Sequence, residues 1–77
     1  MDNISFDIVK HFGVLSTAKS GWNMELNLVS WSGKPPKLDV RSWSPDHKNM
    51  SKGVTLTEGE AAQLAELLVS ALAKPEN

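Results

Sequence analysis

The 77-residue chain has no cysteine and no tyrosine. Without cysteine there is neither a disulfide framework nor a thiolate metal site, and a reducing compartment is the expected setting. No apolar run approaches the roughly 20 residues that a membrane-spanning helix requires. Met1 is followed by the polar Asp2 and Asn3 rather than by a basic segment and an apolar stretch, so no export signal is read and the expected location is cytoplasmic. The chain is also short of bulk. Its length allows one domain, residues 1–77, whose single core buries too small a share of the unfolded surface for comfortable stability. With disulfides excluded, self-association is the expected supplement.

Enzyme signals are missing as well. No glycine cluster follows a strand-like segment to cradle a phosphate, and no serine lies in a nucleophile-elbow context. His11, His47 and Asp46 lack the spacing of a metal site or an acid–base pair, so both histidines are read as surface residues. Catalysis, a cofactor, a metal and a small-molecule substrate are not expected.

Net charge is -1, which on its own favours no polyanionic partner, but the charge is unevenly placed. Between Lys19 and Lys52 stand six positive side chains (Lys19, Lys34, Lys37, Arg41, Lys48, Lys52) against three negative ones (Glu25, Asp39, Asp46), a balance of +3; the rest of the chain carries -4. The positive segment also holds all three tryptophans.

Residues 4–17 alternate at their start, with Ile4, Phe6 and Ile8 on one face, and predict a first strand that Gly13 interrupts as a bulge would. "AKSG" at 18–21 predicts a turn, and a second strand is expected from Trp22 to about Ser32. There Trp22, Met24, Leu26 and Leu28 share one face, expected to be the core, while Glu25, Asn27, Val29 and Trp31 share the other. "SGKPP" predicts the next turn, because proline lacks an amide donor and fixes φ. A third strand is expected from about Lys37 to Ser44, with Leu38 and Val40 inward and Lys37, Asp39, Arg41 and Trp43 outward. A turn centred on residues 33–35 would set Trp31 opposite Lys37 and Asn27 opposite Arg41, with Trp43 near Glu25.

A polar loop at 44–53 leads to a short strand, "VTL" at 54–56, after which the period changes. Thr57 and Glu60 fit a capping box, and Ala61, Leu64, Ala65, Leu68, Ala71 and Leu72 recur at helical spacing, with Leu67 widening the stripe and Lys74-Pro75 closing the helix. The fold class is therefore α+β: four strands in an antiparallel sheet followed by one C-terminal helix that covers one sheet face. The stripe exceeds what so small a core can use, so Leu64, Leu67, Leu68, Ala71 and Leu72 are expected to meet a second copy in an isologous dimer.

Rings interleaved with cations on an exposed sheet face are what a single-stranded nucleic acid requires, since bases stack on the rings and cations neutralise phosphates. Trp31 and Trp43 as a packing pair, or half-buried in a dimer contact, fit the same pattern.

"ELNLVSW", "WSPDHKNMSKG" and "LDVRSW" followed by "SKGVTLTEGEAAQLAELL" resemble the C-terminal core of the positive cofactor 4 family of transcriptional coactivators, p15, and most of all its small bacterial YdbC-type members. The resemblance spans roughly Trp22 to Leu72. It implies a curved four-stranded antiparallel sheet and a helix, a homodimer through helix and sheet, and single-stranded DNA held in basic and aromatic channels with little sequence preference. Trp31, Lys34, Arg41, Trp43 and Lys52 fall on the family's basic and aromatic positions; unlike more basic members, this chain has no Lys or Arg from Asn23 to Ser30. The expected site is Trp31 and Trp43 stacking on bases, with Lys34, Lys37, Arg41, Lys48 and Lys52 on phosphates and Asn27 beside them. RNA is as compatible as DNA. The process served is any that exposes single strands: transcription, repair or replication. The competing class is a protein-interaction module whose outward Trp and Arg dock a partner.

Overall fold

β1 (Phe6–Thr17), β2 (Asn23–Trp31), β3 (Lys37–Trp43) and β4 (Val54–Leu56) form one antiparallel sheet in the order β1-β2-β3-β4, and α1 (Glu58–Leu72) follows. The computed structural model describes residues 5–73. Ile4 and the Lys74-Pro75 stop lie outside them. The four strands and the helix thus occur in the order and nearly at the bounds that alternation and helical period predict, except that Trp22 precedes β2 and stands half-buried rather than in the core.

β1 sets the shape of the sheet. Its twelve residues oppose nine of β2, and the register slips between Ile8 and Lys10, between His11 and Gly13, and between Val14 and Ser16. Each bulge adds an unopposed residue and increases the local twist. Gly13 announces the middle one; the other two carry no glycine or proline. Three bulges in one edge strand curl the sheet along its length.

The extent of the curl is read from the aromatic side chains. Trp43 pairs with Asn23, which lies eight residues before Trp31 on β2, about 27 Å away along a straight strand. Yet the Phe6 ring centroid is 5.9 Å from that of Trp31 and 5.1 Å from that of Trp43. The two ends of the sheet have come together around Phe6.

The β2–β3 hairpin turns at Ser32 and Gly33, both with positive φ (51° and 74°), and the Lys34 amide donates to the Trp31 carbonyl at 2.9 Å. Positive φ at both central positions suits the right-handed twist of a hairpin, though it is costly for serine. The turn therefore centres on Gly33, and the pairing differs by two residues from the expected one: Glu25 faces Arg41, Asn27 faces Asp39 and Val29 faces Lys37. A shift of two keeps every side chain on its expected face.

The direction of burial is the larger correction. Val29 and Trp43 are the buried hydrophobic residues, and Glu25, Asn27, Asp39 and Ser44 are the buried polar ones. In the single chain the face expected to meet solvent is therefore the enclosed inner face. Met24 is exposed, and Leu26, Leu28, Leu38 and Val40, on the expected core face, are only half-buried. Curling accounts for this inversion, because it closes one face on itself and opens the other. Nor does α1 cover the opened face: it touches only β3 and β4 and buries none of its residues. The radius of gyration, 14.5 Å, exceeds the roughly 11 Å of a compact domain of this size.

The start of α1 is fixed as expected. Glu60 N donates to Thr57 Oγ1 at 3.1 Å and Thr57 N donates to Glu60 Oε1 at 2.9 Å, while Glu58 and Glu60 complement the positive helix start. Just before β4, Gly53 passes against β3. A Cβ there would lie 2.3 Å from Arg41 Cβ and 2.4 Å from the Val40 carbonyl oxygen. Gly53→Ala is expected to push the β4 segment off β3 and to destabilise the protein by at least about 1–3 kcal/mol in urea unfolding. An unchanged midpoint would show that the segment has room to shift.

Candidate nucleic-acid interface

The inner face is a chain of paired polar groups closed by rings. Asp39, fully buried, accepts from Arg41 Nε and Nη2 at 2.8 Å each, a bidentate pair. The same guanidinium lies over the Trp31 ring at 4.6 Å and donates through Nη1 to the Ser51 carbonyl at 3.3 Å. Because Arg41 stands opposite Glu25, six residues from Trp31 along β2, this stack is itself a product of the curl. It joins the hairpin end that carries Lys34 to the 44–53 loop that carries Lys48 and Lys52.

A second cluster surrounds Glu25, which is 2 % exposed. Asn27 Nδ2 donates to its Oε1 at 3.0 Å, His47 Nε2 reaches its two oxygens at 3.2 and 3.0 Å, and His11 Nδ1 meets Asn27 Oδ1 at 2.7 Å. His47 is held there by its loop. Its φ is 58°, its amide donates to the Ser44 carbonyl at 2.9 Å, and its ring packs on Trp43 at 5.7 Å. Beside it, the Lys48 amide and the Ser44 hydroxyl donate to Asp46 and hold that carboxyl below its ordinary range. The Asp46 contribution to loop order is thus present above that range and lost as pH falls through the depressed value.

Several expected site residues take other duties. Asn27 is fully buried and its amide is spent on Glu25 and His11, so it is withdrawn from the nucleic-acid contacts. Trp43 is fully buried between Phe6 and His47 and presents no free ring. Arg41 is half-buried, its charge matched by Asp39. Trp31 is half-buried under Arg41, and the Nε1 of both Trp31 and Trp43 is buried without an acceptor. Lys34, Lys37, Lys48 and Lys52 are all exposed.

Sequence reasoning missed Phe6 as the closing ring and Glu25 with both histidines as a unit. Alternation did place Glu25 and Asp39 on this face, but nothing in the spacing of His11 and His47 announced their convergence. Among the described residues no group of three His, Cys, Asp or Glu side chains is disposed to hold a metal ion, and no helix is long and apolar enough to cross a membrane.

The chain is thus a curled four-stranded sheet with a trailing helix and an uncovered apolar face. The family model of Transcriptional Coactivator p15 (PC4) matches residues 18–67. The chain is also similar, at 46% identity over 69 residues, to an uncharacterized protein of Treponema pallidum (strain Nichols), the match covering 90% of this chain and 81% of that protein. The chain belongs to the PC4 family, and that membership points to a nucleic-acid-binding, coactivator-type role.

Removing the guanidinium would leave the Asp39 carboxylate buried without a counter-charge. Arg41→Ala is therefore expected to cost about 3–5 kcal/mol in chemical denaturation, more than loss of a surface cation would. A cost under about 1 kcal/mol would show that Asp39 regains water and that the pair is peripheral.

Proposed function

We propose that this chain binds single-stranded nucleic acid, DNA in the first instance, with little sequence preference and as a homodimer. The observation that carries the reading is the junction at Arg41 and Trp31, where the curl joins the Lys34 hairpin to the loop of Lys48 and Lys52. Trp31 is the ring available for stacking. Arg41 holds it from behind, and Lys34, Lys37, Lys48 and Lys52 meet phosphates. Trp43 supports the surface from inside and is not itself a stacking ring. No catalytic step belongs to this proposal.

The uncovered face supports the homodimer. Leu64, Leu67, Leu68 and Leu72 are exposed in the single chain, as are Met24, Val54 and Phe12, and exposed apolar groups of this kind mark interaction surfaces when they gather on one face. A second copy whose helix packs on this face, through Leu64, Leu67, Leu68, Ala71 and Leu72, would supply the missing half of the core. It would leave the Trp31–Arg41 junction and the exposed lysines of both copies free for a strand. Leu68→Asp is expected to shift sedimentation from dimer toward monomer at micromolar concentration; a monomeric wild type would remove the dimer from the proposal.

Titration of labelled oligo-dT across a salt series tests the binding. Log affinity should fall linearly with log salt, and each lysine-to-alanine change should reduce the slope by about 0.7, the value for one phosphate contact on a single strand. Trp31→Ala should weaken binding by about 1–3 kcal/mol. Absence of binding at low salt by a folded protein would overturn the proposal and favour a protein-docking surface, whose affinity changes little with salt.

A further inference from the structure

The Glu25 cluster fixes the direction of every proton around it. A carboxylate only accepts, so Asn27 Nδ2 must face it and Asn27 Oδ1 must face His11. His11 Nδ1 therefore donates to Asn27, and His47 Nε2 donates to Glu25. In each ring the other nitrogen, His11 Nε2 and His47 Nδ1, has no hydrogen-bond partner among the described residues. The side chains are 50% and 40% exposed, against 3% for that of Glu25. The same residues line a groove of about 420 Å³ together with Ile8, Val14 and Asn23.

In this arrangement protonation inverts what the groove offers. With the first nitrogen already committed as a donor, a neutral imidazole turns a lone pair outward and an imidazolium turns an N–H outward. Two neutral rings around Glu25 present acceptors and one negative charge, which repel a phosphodiester. Two protonated rings present two donors and a cluster charge of +1. The other charges around the rings leave this balance in place. Arg41 on β3, opposite Glu25, is bound to Asp39, and in the His47 loop Asp46 accepts from Ser44 and Lys48. β1 contributes no second charged residue paired with Glu25 or Asn27. The left-handed φ of His47, sparsely populated by residues other than glycine, is further reason to read its placement as functional.

We propose that His11 and His47, held on the buried Glu25, form a proton-gated phosphodiester subsite of the inner face. Each imidazolium keeps one N–H inward, His47 on Glu25 and His11 on Asn27, and gives the other to a phosphate oxygen of the bound strand. This rests on the nucleic-acid reading and adds its regulation: binding tightens as pH falls.

The test is labelled oligo-dT titrated into the full chain at about pH 5.5 and about pH 8, on either side of the value for imidazole in small peptides, each across a salt series at matched ionic strength. The affinity should be at least about tenfold higher at the lower pH, as for one charge-assisted hydrogen bond. The salt slope should steepen by about 1.4, for two added contacts on a single strand. His11→Gln with His47→Gln should bind as the wild type does at the higher pH and lose both changes. If the double variant does not fold, the wild-type slopes decide, because histidines with a purely structural role would alter affinity without adding phosphate contacts. Strong binding with the same slope at both pH values would overturn the gate and leave the nucleic-acid reading standing. A pH-dependent slope that survives in a folded double variant would overturn it too. No binding at either pH would overturn the reading itself.

Discussion

The meeting of Phe6 with both Trp31 and Trp43 depends on the curl of the sheet, and most of the molecule depends on that curl in turn. A flat four-stranded sheet would hold the two indoles at opposite ends of one face. Bending the sheet until they share a neighbour encloses Val29, Glu25, Asn27 and Asp39. The bulges of β1 supply the bend, and the rings fill the space it creates. The same bend sets Arg41 on Trp31, a contact between parts of the sheet that register alone keeps apart.

Enclosing a polar face makes pairing obligatory. A buried carboxylate without a partner is costly, so Asp39 takes the Arg41 guanidinium and Glu25 takes Asn27 and His47. The two solutions differ in kind. Arg41 keeps its proton at any ordinary pH, and its pair fixes the position of Trp31. The Glu25 cluster is instead built on imidazoles, each of which uses one ring nitrogen inward and leaves the other without a partner among the described residues. The opposite face follows the reverse logic: it is apolar and uncovered in one chain, the observation on which the proposed dimer rests.

Strand order, face parity and the helix start were legible because each rests on local chemistry. Alternation along Asn23–Trp31 and Lys37–Trp43 survived a register error of two residues, since parity repeats every two. The Thr57–Glu60 box lies within one turn and was read correctly. The register itself was not legible, because it depends on Ser32 accepting a left-handed conformation that serine disfavours. Which face would be enclosed was not legible either. Two of the three bulges, at Ile8/Lys10 and Val14/Ser16, carry no local signal, and the apolar set Met24, Leu26 and Leu28 looks like a core whether it meets a helix of the same chain or another copy. Membership in the PC4 family agrees with the sheet and helix, while the burial of Trp43 and Asn27 is a property of the curled structure.

The division of labour between the two faces is tested most directly by amide and indole chemical-shift mapping of the isotope-labelled protein with added oligo-dT. The account predicts perturbation of the Trp31 indole, of Lys34 and Lys37, and of residues 44–52, with Leu64–Leu72 of the helix undisturbed. Perturbation concentrated on the helix and on Met24, Leu26 and Leu28, with a silent inner face, would contradict it.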